Sequence, residues 1–188
     1  MKCNFRAFAM LNRFVFFFAS LVAVCLGSLS WAADPDREQP TEVTADALHY
    51  DDKKRLSVFT GHVILTRGSL KITGERLELQ ENEVGDQTGT ATGQLAYFER
   101  TRAQAPNELI QGQAQRIVYD SKSNTLKLRG QGQLRRMRDG KLSDEVRGEA
   151  IDYFDDTGVF TAQGQASTQG KPGRVHIIIG PKPPAQGQ

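Results

Sequence analysis

The sequence predicts an all-β body, a two-sheet roll built from repeated hairpins, preceded by an export leader. Three observations carry that prediction. Apolar and polar residues alternate in short runs punctuated by Gly, as in Val63-Ile64-Leu65-Thr66 after Gly61, or Leu126-Lys127-Leu128-Arg129-Gly130. No window of about a dozen residues after the leader sustains the i, i+3, i+4, i+7 spacing of an amphipathic helix. A six-residue pattern also recurs four times: a small residue, two variable positions, an aliphatic, one variable position, then Tyr or Leu.

The leader comes first. Lys2, Arg6 and Arg13 form a basic start, Phe14 to Leu29 an apolar run, and Ser30-Trp31-Ala32-Ala33 a small-residue end. That is the anatomy of a secretory signal. Cleavage after Ala32 places Ser30 and Ala32 at the two recognition positions, whereas cleavage after Ala33 would place bulky Trp31 at one of them. The competing readings are an uncleaved anchor, since Phe14 to Ala33 approaches the ~17–25 residues of a spanning helix, and lipidation at Cys25, which bulky Val24 disfavours. The expected organisation is a signal peptide over 1–32, one β domain over 33–180 and a disordered tail over 181–188.

Removing the leader changes the charge. The chain of 188 residues carries 24 Lys+Arg and 22 Asp+Glu. Three of the basic residues and none of the acidic ones precede residue 33, which leaves 21 against 22. Such a body lacks the basic excess that neutralises a nucleic-acid backbone, so nucleic acid is excluded as a partner. Both cysteines, Cys3 and Cys25, also lie in the leader. An exported chain without cysteine has no disulfide, no thiolate nucleophile and no Cys-ligated metal. His49, His62 and His176 lack the close spacing of metal-binding pairs, so no metal site is expected.

The four repeats are Ala45-Asp46-Ala47-Leu48-His49-Tyr50, Gly74-Glu75-Arg76-Leu77-Glu78-Leu79, Ala114-Gln115-Arg116-Ile117-Val118-Tyr119 and Gly148-Glu149-Ala150-Ile151-Asp152-Tyr153. In three of them a Gly follows the Tyr eleven residues later, at Gly61, Gly130 and Gly164. Polar turn residues lie between, and each unit reads as a β-hairpin. Within the motif the apolar parity slips by one: Val43 and Ala45 share a face that Leu48 and Tyr50 do not continue. The same slip separates Ile72 and Gly74 from Leu77 and Leu79, and Val146 and Gly148 from Ile151 and Tyr153. A bulge or corner at each small residue would keep both halves of the strand facing one interior.

That interior is expected to be lined by Val43, Leu48, Tyr50, Phe59, Val63, Leu65, Ile72, Leu77, Leu79, Leu95, Tyr97, Ile117, Tyr119, Leu126, Leu128, Ile151, Tyr153 and Phe160. Only Phe59, Phe98, Phe154 and Phe160 of the ten Phe follow the leader, and no Trp does. The interior therefore reads as slender or incompletely filled. Glu81 to Gln87 and Arg100 to Asn107 are polar and read as longer turns. Arg174 to Ile179 is a strongly β-forming run before Pro181, and reads as a terminal strand with an unpaired edge.

Catalytic signatures are absent: there is no Gly-rich phosphate loop, no Gly-x-Ser-x-Gly elbow and no His-Glu-x-x-His motif. The carboxylate pairs Asp51-Asp52, Asp144-Glu145 and Asp155-Asp156 fall in expected turns, where Asp makes local hydrogen bonds, rather than facing each other across a cleft. Arg135-Arg136-Met137-Arg138, with Lys127, Arg129 and Lys141, forms a basic hairpin that could meet phosphates or could be a solvated face.

The repeat, the segment Phe59-Thr60-Gly61-His62-Val63 and the closing Gly173-Arg174-Val175 to Pro181-Lys182 together resemble the OstA-like family over about all of the chain after the leader. The resemblance implies a β-jellyroll, slightly open along one side, that binds lipopolysaccharide through lipid A in the periplasm and carries it from the inner to the outer membrane without a cofactor or a catalytic step. The acyl chains would then lie against Val43, Leu48, Tyr50, Phe59, Val63, Leu65, Ile72, Leu77, Leu95, Tyr97, Ile117, Tyr119, Leu128, Ile151 and Tyr153. It further implies copies joined head to tail, with Thr41, Val43, Val175, Ile177 and Ile179 at the junction, and partners in inner-membrane LptC-like and outer-membrane LptD-like jellyroll domains. A membrane-anchored LptC-like component and an exported polysaccharide-binding β module are the alternatives.

Overall fold

The computed structural model describes residues 36, 39–165 and 173–181. The leader, the expected cleavage point after Ala32 and the tail from residue 182 lie outside the described residues. Ten strands follow one another: β1 (Glu42–Thr44), β2 (Ala47–Asp51), β3 (Leu56–Arg67), β4 (Leu70–Glu81), β5 (Gln87–Arg102), β6 (Ala105–Asp120), β7 (Thr125–Arg138), β8 (Lys141–Phe154), β9 (Val159–Gln163) and β10 (His176–Ile179). All pairings are antiparallel, in the order β1-β3-β4-β5-β6-β7-β8-β10, with β2 also on β3 and β9 also on β8.

The long strands break register near their middles. The shifts fall between Thr60 and Val63, Thr73 and Arg76, Thr92 and Ala96, Gln113 and Arg116, and Arg129 and Gly132. Together they form a corner line across the sheet. On one side, β1 and β10 complete a first layer with residues 63–74, 96–114 and 132–148; on the other, β2 and β9 complete a second layer. The slips in the sequence motif are these corners, at Ala45, Gly74, Ala114 and Gly148. Each bulge turns the strand so that both halves keep their apolar side toward the facing layer.

The corners have their own chemistry. Gly61 and His62 both have positive φ, 78° and 43°, and Asp46 closes over them: its amide donates to the Gly61 carbonyl at 3.0 Å, and its carboxylate meets His62 Nδ1 at 2.8 Å. That hydrogen bond raises the pKa of the exposed His62. The second motif position repeats the device. The Gln94 amide donates to Glu75 Oε1 at 3.4 Å, and the Gln115 amide group lies over Gly130. At Gly148 a Cβ would come 2.7 Å from the Gln163 carbonyl oxygen, so only glycine lets β9 approach there.

Between the layers, inward residues align in rows across the strands. One row runs Leu48, Phe59, Leu77, Ala91, Ile117, Leu128, Ile151, Ala162, and the next Tyr50, Ser57, Leu79, Gly89, Tyr119, Leu126, Tyr153, Phe160. Opposite them the first layer supplies Val43, Leu65, Ile72, Phe98, Gly112, Leu134, Val146 and Ile177. Ile117, Leu126, Leu128, Ile151 and Tyr153 are fully buried. A residual space of about 10 Å³ among Ile110, Leu134, Val146, Tyr153 and Phe160 holds at most one water. The expectation of an incompletely filled interior is therefore corrected: where the rows are flanked on both sides, small residues such as Ala91, Gly89 and Gly112 let the layers close on the larger ones.

Three further readings change. Leu95 and Tyr97 face outward, because the β5 corner falls after Thr92 and hands the inward positions to Ala96 and Phe98; Leu95 is exposed, and the half-buried Tyr97 donates its hydroxyl to Glu99 at 2.8 Å. Arg100 to Asn107 is no long turn, since β5 continues to Arg102 and β6 starts at Ala105. Within it Arg100 and Arg102 point inward and find carboxylate partners there. Asp144-Glu145 lies inside β8 and pairs with arginines instead of sitting in a turn.

Candidate functional site

The candidate site is the apolar interior with its two ends and its open side. At the N-terminal end, β2 has a neighbour on one edge only among the described residues, so Leu48 and Tyr50 continue the inward rows yet stay more than half exposed, at 59% and 56%. Beside them Tyr50, Asp52, Arg55, Ser57, Leu79, Glu81 and Gln87 line a groove of about 200 Å³. Ser57 makes this notch, because it is the small residue between Tyr50 and Leu79 in the same row. The Tyr50 hydroxyl donates to Asp52 at 3.1 Å, which raises its pKa.

At the C-terminal end, β10 lies on β8 with Ile177 opposite Val146 and Ile179 opposite Asp144. Both isoleucines are exposed, as is Val175 just before the strand, while Phe160 on β9 is half-buried. The outer edges of β1, β2, β9 and β10 pair with no strand among the described residues. Thr41 precedes β1, and its hydroxyl donates to Gln87 of the second layer at 3.4 Å. Of the residues expected to line the interior, Val63, Leu65, Ile72, Leu77, Ile117, Tyr119, Leu126, Leu128, Ile151 and Tyr153 are buried, and Val43, Phe59, Leu79 and Phe160 pack against them.

Opposite the corner line, the hairpin ends of the two layers meet in a seam. Toward the C-terminal half an ionic cluster bridges it, and the sequence reading missed this cluster. Arg100, with 1% of its side chain exposed, lies 3.4 Å from both Asp36 and Asp155 and donates to Asn124 Oδ1 at 2.5 Å. Asn124 donates to Asp156 at 2.8 Å, and Tyr153 donates to Asp155 at 3.0 Å. Burial, together with the Asp155 carboxylate, pushes the Tyr153 pKa up. The available signal was parity: Ala96, Phe98 and Arg100 lie two residues apart. The basic hairpin is likewise neutralised, with Arg135 on Glu145 at 2.9 Å, Arg136 on Asp144 at 3.5 Å and Arg138 on Glu108. Burial raises the Glu108 pKa, but hydrogen bonds from Arg138 and Arg102 outweigh it and leave the carboxyl below its ordinary range.

Chemically, this arrangement offers a long apolar surface with polar margins. Among the described residues no group of His, Cys, Asp or Glu is disposed to hold a metal ion. A protein-family model described as "LptA/(LptD N-terminal domain) LPS transport protein" matches residues 42–159, from the first strand to the ninth. The chain belongs to this family. Within the LptA/LptD N-terminal family it is 31% identical to the lipopolysaccharide export system protein LptH of Pseudomonas aeruginosa, over 88% of this chain and 93% of that one. It is 24% identical to the lipopolysaccharide export system protein LptA of Escherichia coli K12, over 72% and 70% of the two chains. The crystal structure of LptH, the LptA-homologous periplasmic component of the lipopolysaccharide transport device of P. aeruginosa, superposes with a TM-score of 0.68 at 29% identity, covering 79% of this chain and all of that one. The OstA-like resemblance read from the repeats and the jellyroll it implied agree with this membership.

Proposed function

We propose that this chain is a periplasmic lipopolysaccharide-binding protein that carries its lipid between the inner and outer membranes, with acyl chains against the apolar rows and sugars in water. The observation that carries the reading is continuity. The second-layer rows run from exposed Leu48 and Tyr50, through the buried middle, to Ala162 and Phe160, and the facing first-layer row runs from Val43 to exposed Ile177. Acyl chains need an apolar path and nothing else from the protein, so no bond is broken and binding does the work. Because the middle is closely packed, the layers must part when a lipid enters. The seam is where they can part, since the corner line is covalently continuous and the seam is held by side chains.

Assembly follows from the edges. The outer edges of β1 and β10 each present backbone donors and acceptors that a second copy can pair with, and head-to-tail pairing of Thr41 and Val43 with Val175, Ile177 and Ile179 would join the rows of successive copies. LptC-like and LptD-like jellyroll domains at the inner and outer membranes would cap such a bridge by the same pairing. The leader would deliver the chain to the periplasm, with cleavage after Ala32; mass spectrometry of the recovered N-terminus tests that step. The central test is photocrosslinking to lipopolysaccharide in cells. Probes at Val43, Tyr50, Phe59 and Tyr119 should crosslink, while probes at outward Leu95 and Tyr97 should not. Equal labelling of both sets would remove the lipid path from the interior.

A further inference from the structure

Three arginines of the first layer reach across the seam to one turn of the second. Arg100 meets Asp155. Arg136 Nη2 donates to the Gly158 carbonyl at 2.9 Å, and the Arg102 guanidinium fills the space beside Gly158 that a Cβ would need. Their placement follows from strand parity: Arg100 and Arg102 continue the inward alternation of Phe98, and Arg136 stands opposite inward Ile110. The arginines therefore cap the apolar rows. Arg136 borders the small space left among Ile110, Val146, Tyr153 and Phe160.

Arg102 and Arg136 each keep a buried Nε–H with no acceptor among the described residues. Buried donors of charged groups without acceptors are costly and uncommon, and they mark where a further acceptor would be stabilised. The present acceptors are spread over the cluster: Arg100 meets Asp36, Asp155 and Asn124, Arg102 uses Glu108 at 2.9 Å, and Arg136 uses Asp144 and the Gly158 carbonyl. A phosphate monoester brings three acceptor oxygens and a charge of about −1.5 to −2. Guanidinium forks match those oxygens two at a time.

We propose that Arg100, Arg102 and Arg136 form a site for the phosphate monoester of an acylated sugar headgroup, held in the closed roll by Asp155 and the Gly158 carbonyl, which the phosphate displaces. This rests on the lipid-carrier reading and adds to it where the headgroup is gripped. Acyl chains on the rows would put a headgroup at the seam. Exchanging Asp155 for phosphate would release the β8–β9 turn and let the layers part at that point, coupling headgroup recognition to opening.

The test compares three probes on the purified protein: bisphosphorylated lipid A, the same lipid with its phosphates removed, and inorganic phosphate. The unaltered protein should prefer the phosphorylated lipid by about 10- to 100-fold, the range expected for one or two charge-assisted hydrogen bonds. Arg136→Gln should remove most of that preference, and Asp155→Asn should increase it by weakening the competing carboxylate. Equal affinity of the unaltered protein for both lipids overturns the site while leaving the carrier reading intact, and needs no variant to fold. Failure of both lipids to bind sinks the carrier reading and this inference with it. Competition by inorganic phosphate at the lipid's own concentration would assign the site to a free anion and overturn the headgroup assignment.

Discussion

The middle of the roll and its two ends are made of the same rows, yet one is a core and the other a surface. Leu128 and Ile151 in the middle are fully buried, while Leu48 in the same row is 59% exposed. The difference is the number of neighbours. A strand flanked on both edges has its inward residues covered by the facing layer and by both adjacent strands, whereas an end strand has an outer edge without a partner. Equal hydrophobicity therefore has two outcomes, holding the fold where it is flanked and remaining as exposed apolar surface where it is not.

The largest expected effect separates these outcomes directly. Leu128→Ala or Ile151→Ala should destabilise the protein by about 2–5 kcal/mol, through lost burial and a cavity that the rigid layers cannot refill. Leu48→Ala should cost less than about 1 kcal/mol, since the side chain is already mostly in water. Urea denaturation of both checks the comparison, and equal losses would show that β2 is covered in solution.

Arg100→Met should have an effect of similar size, at about 3–5 kcal/mol, because it leaves Asp155 and Asn124 buried beside an apolar side chain. Arg76→Met, whose exposed partner Glu78 lies 2.9 Å away, should change stability by no more than about 1 kcal/mol. This contrast sharpens the view that the seam is held by a few buried contacts and the outer face by none of consequence.

Acid should act on the seam as well. The folded pKa of Glu108 is depressed, so its contribution is fully present above its unfolded value, near 4.5, and is lost as pH falls through the lower folded value. Glu108→Gln should accordingly lower stability at pH 7 by about 1–3 kcal/mol and flatten the stability profile below pH 4.5. A variant whose acid-unfolding curve keeps the original slope would mean that other carboxylates govern that range.

The smallest expected effect on stability comes from deleting 175–188. The removed strand is exposed throughout, with one pairing edge against β8, so a folded protein should remain. It should no longer grow into larger assemblies with concentration by light scattering. Growth unchanged after the deletion would place the junction between copies elsewhere.

Period-two alternation and the four motif slips were enough to determine that the body is all-β, that its strands fold in hairpins and that each turns a corner at a small residue. These are local facts, carried by side-chain parity within a few residues of chain. Family membership was legible for the same reason, in the order of the repeats. What sequence could not decide is where a corner falls without its motif and which distant residues meet at the seam. Leu95 and Tyr97 read as inward because β5 lacks the repeat, and the bulge after Thr92 became visible only in its pairing with β4 and β6. Arg100 read as part of a polar turn because its partners, Asp36, Asn124 and Asp155, are 64, 24 and 55 residues away. Only the closing of one layer on the other brings them together, and a buried charge can be recognised as such only once its neighbours are known.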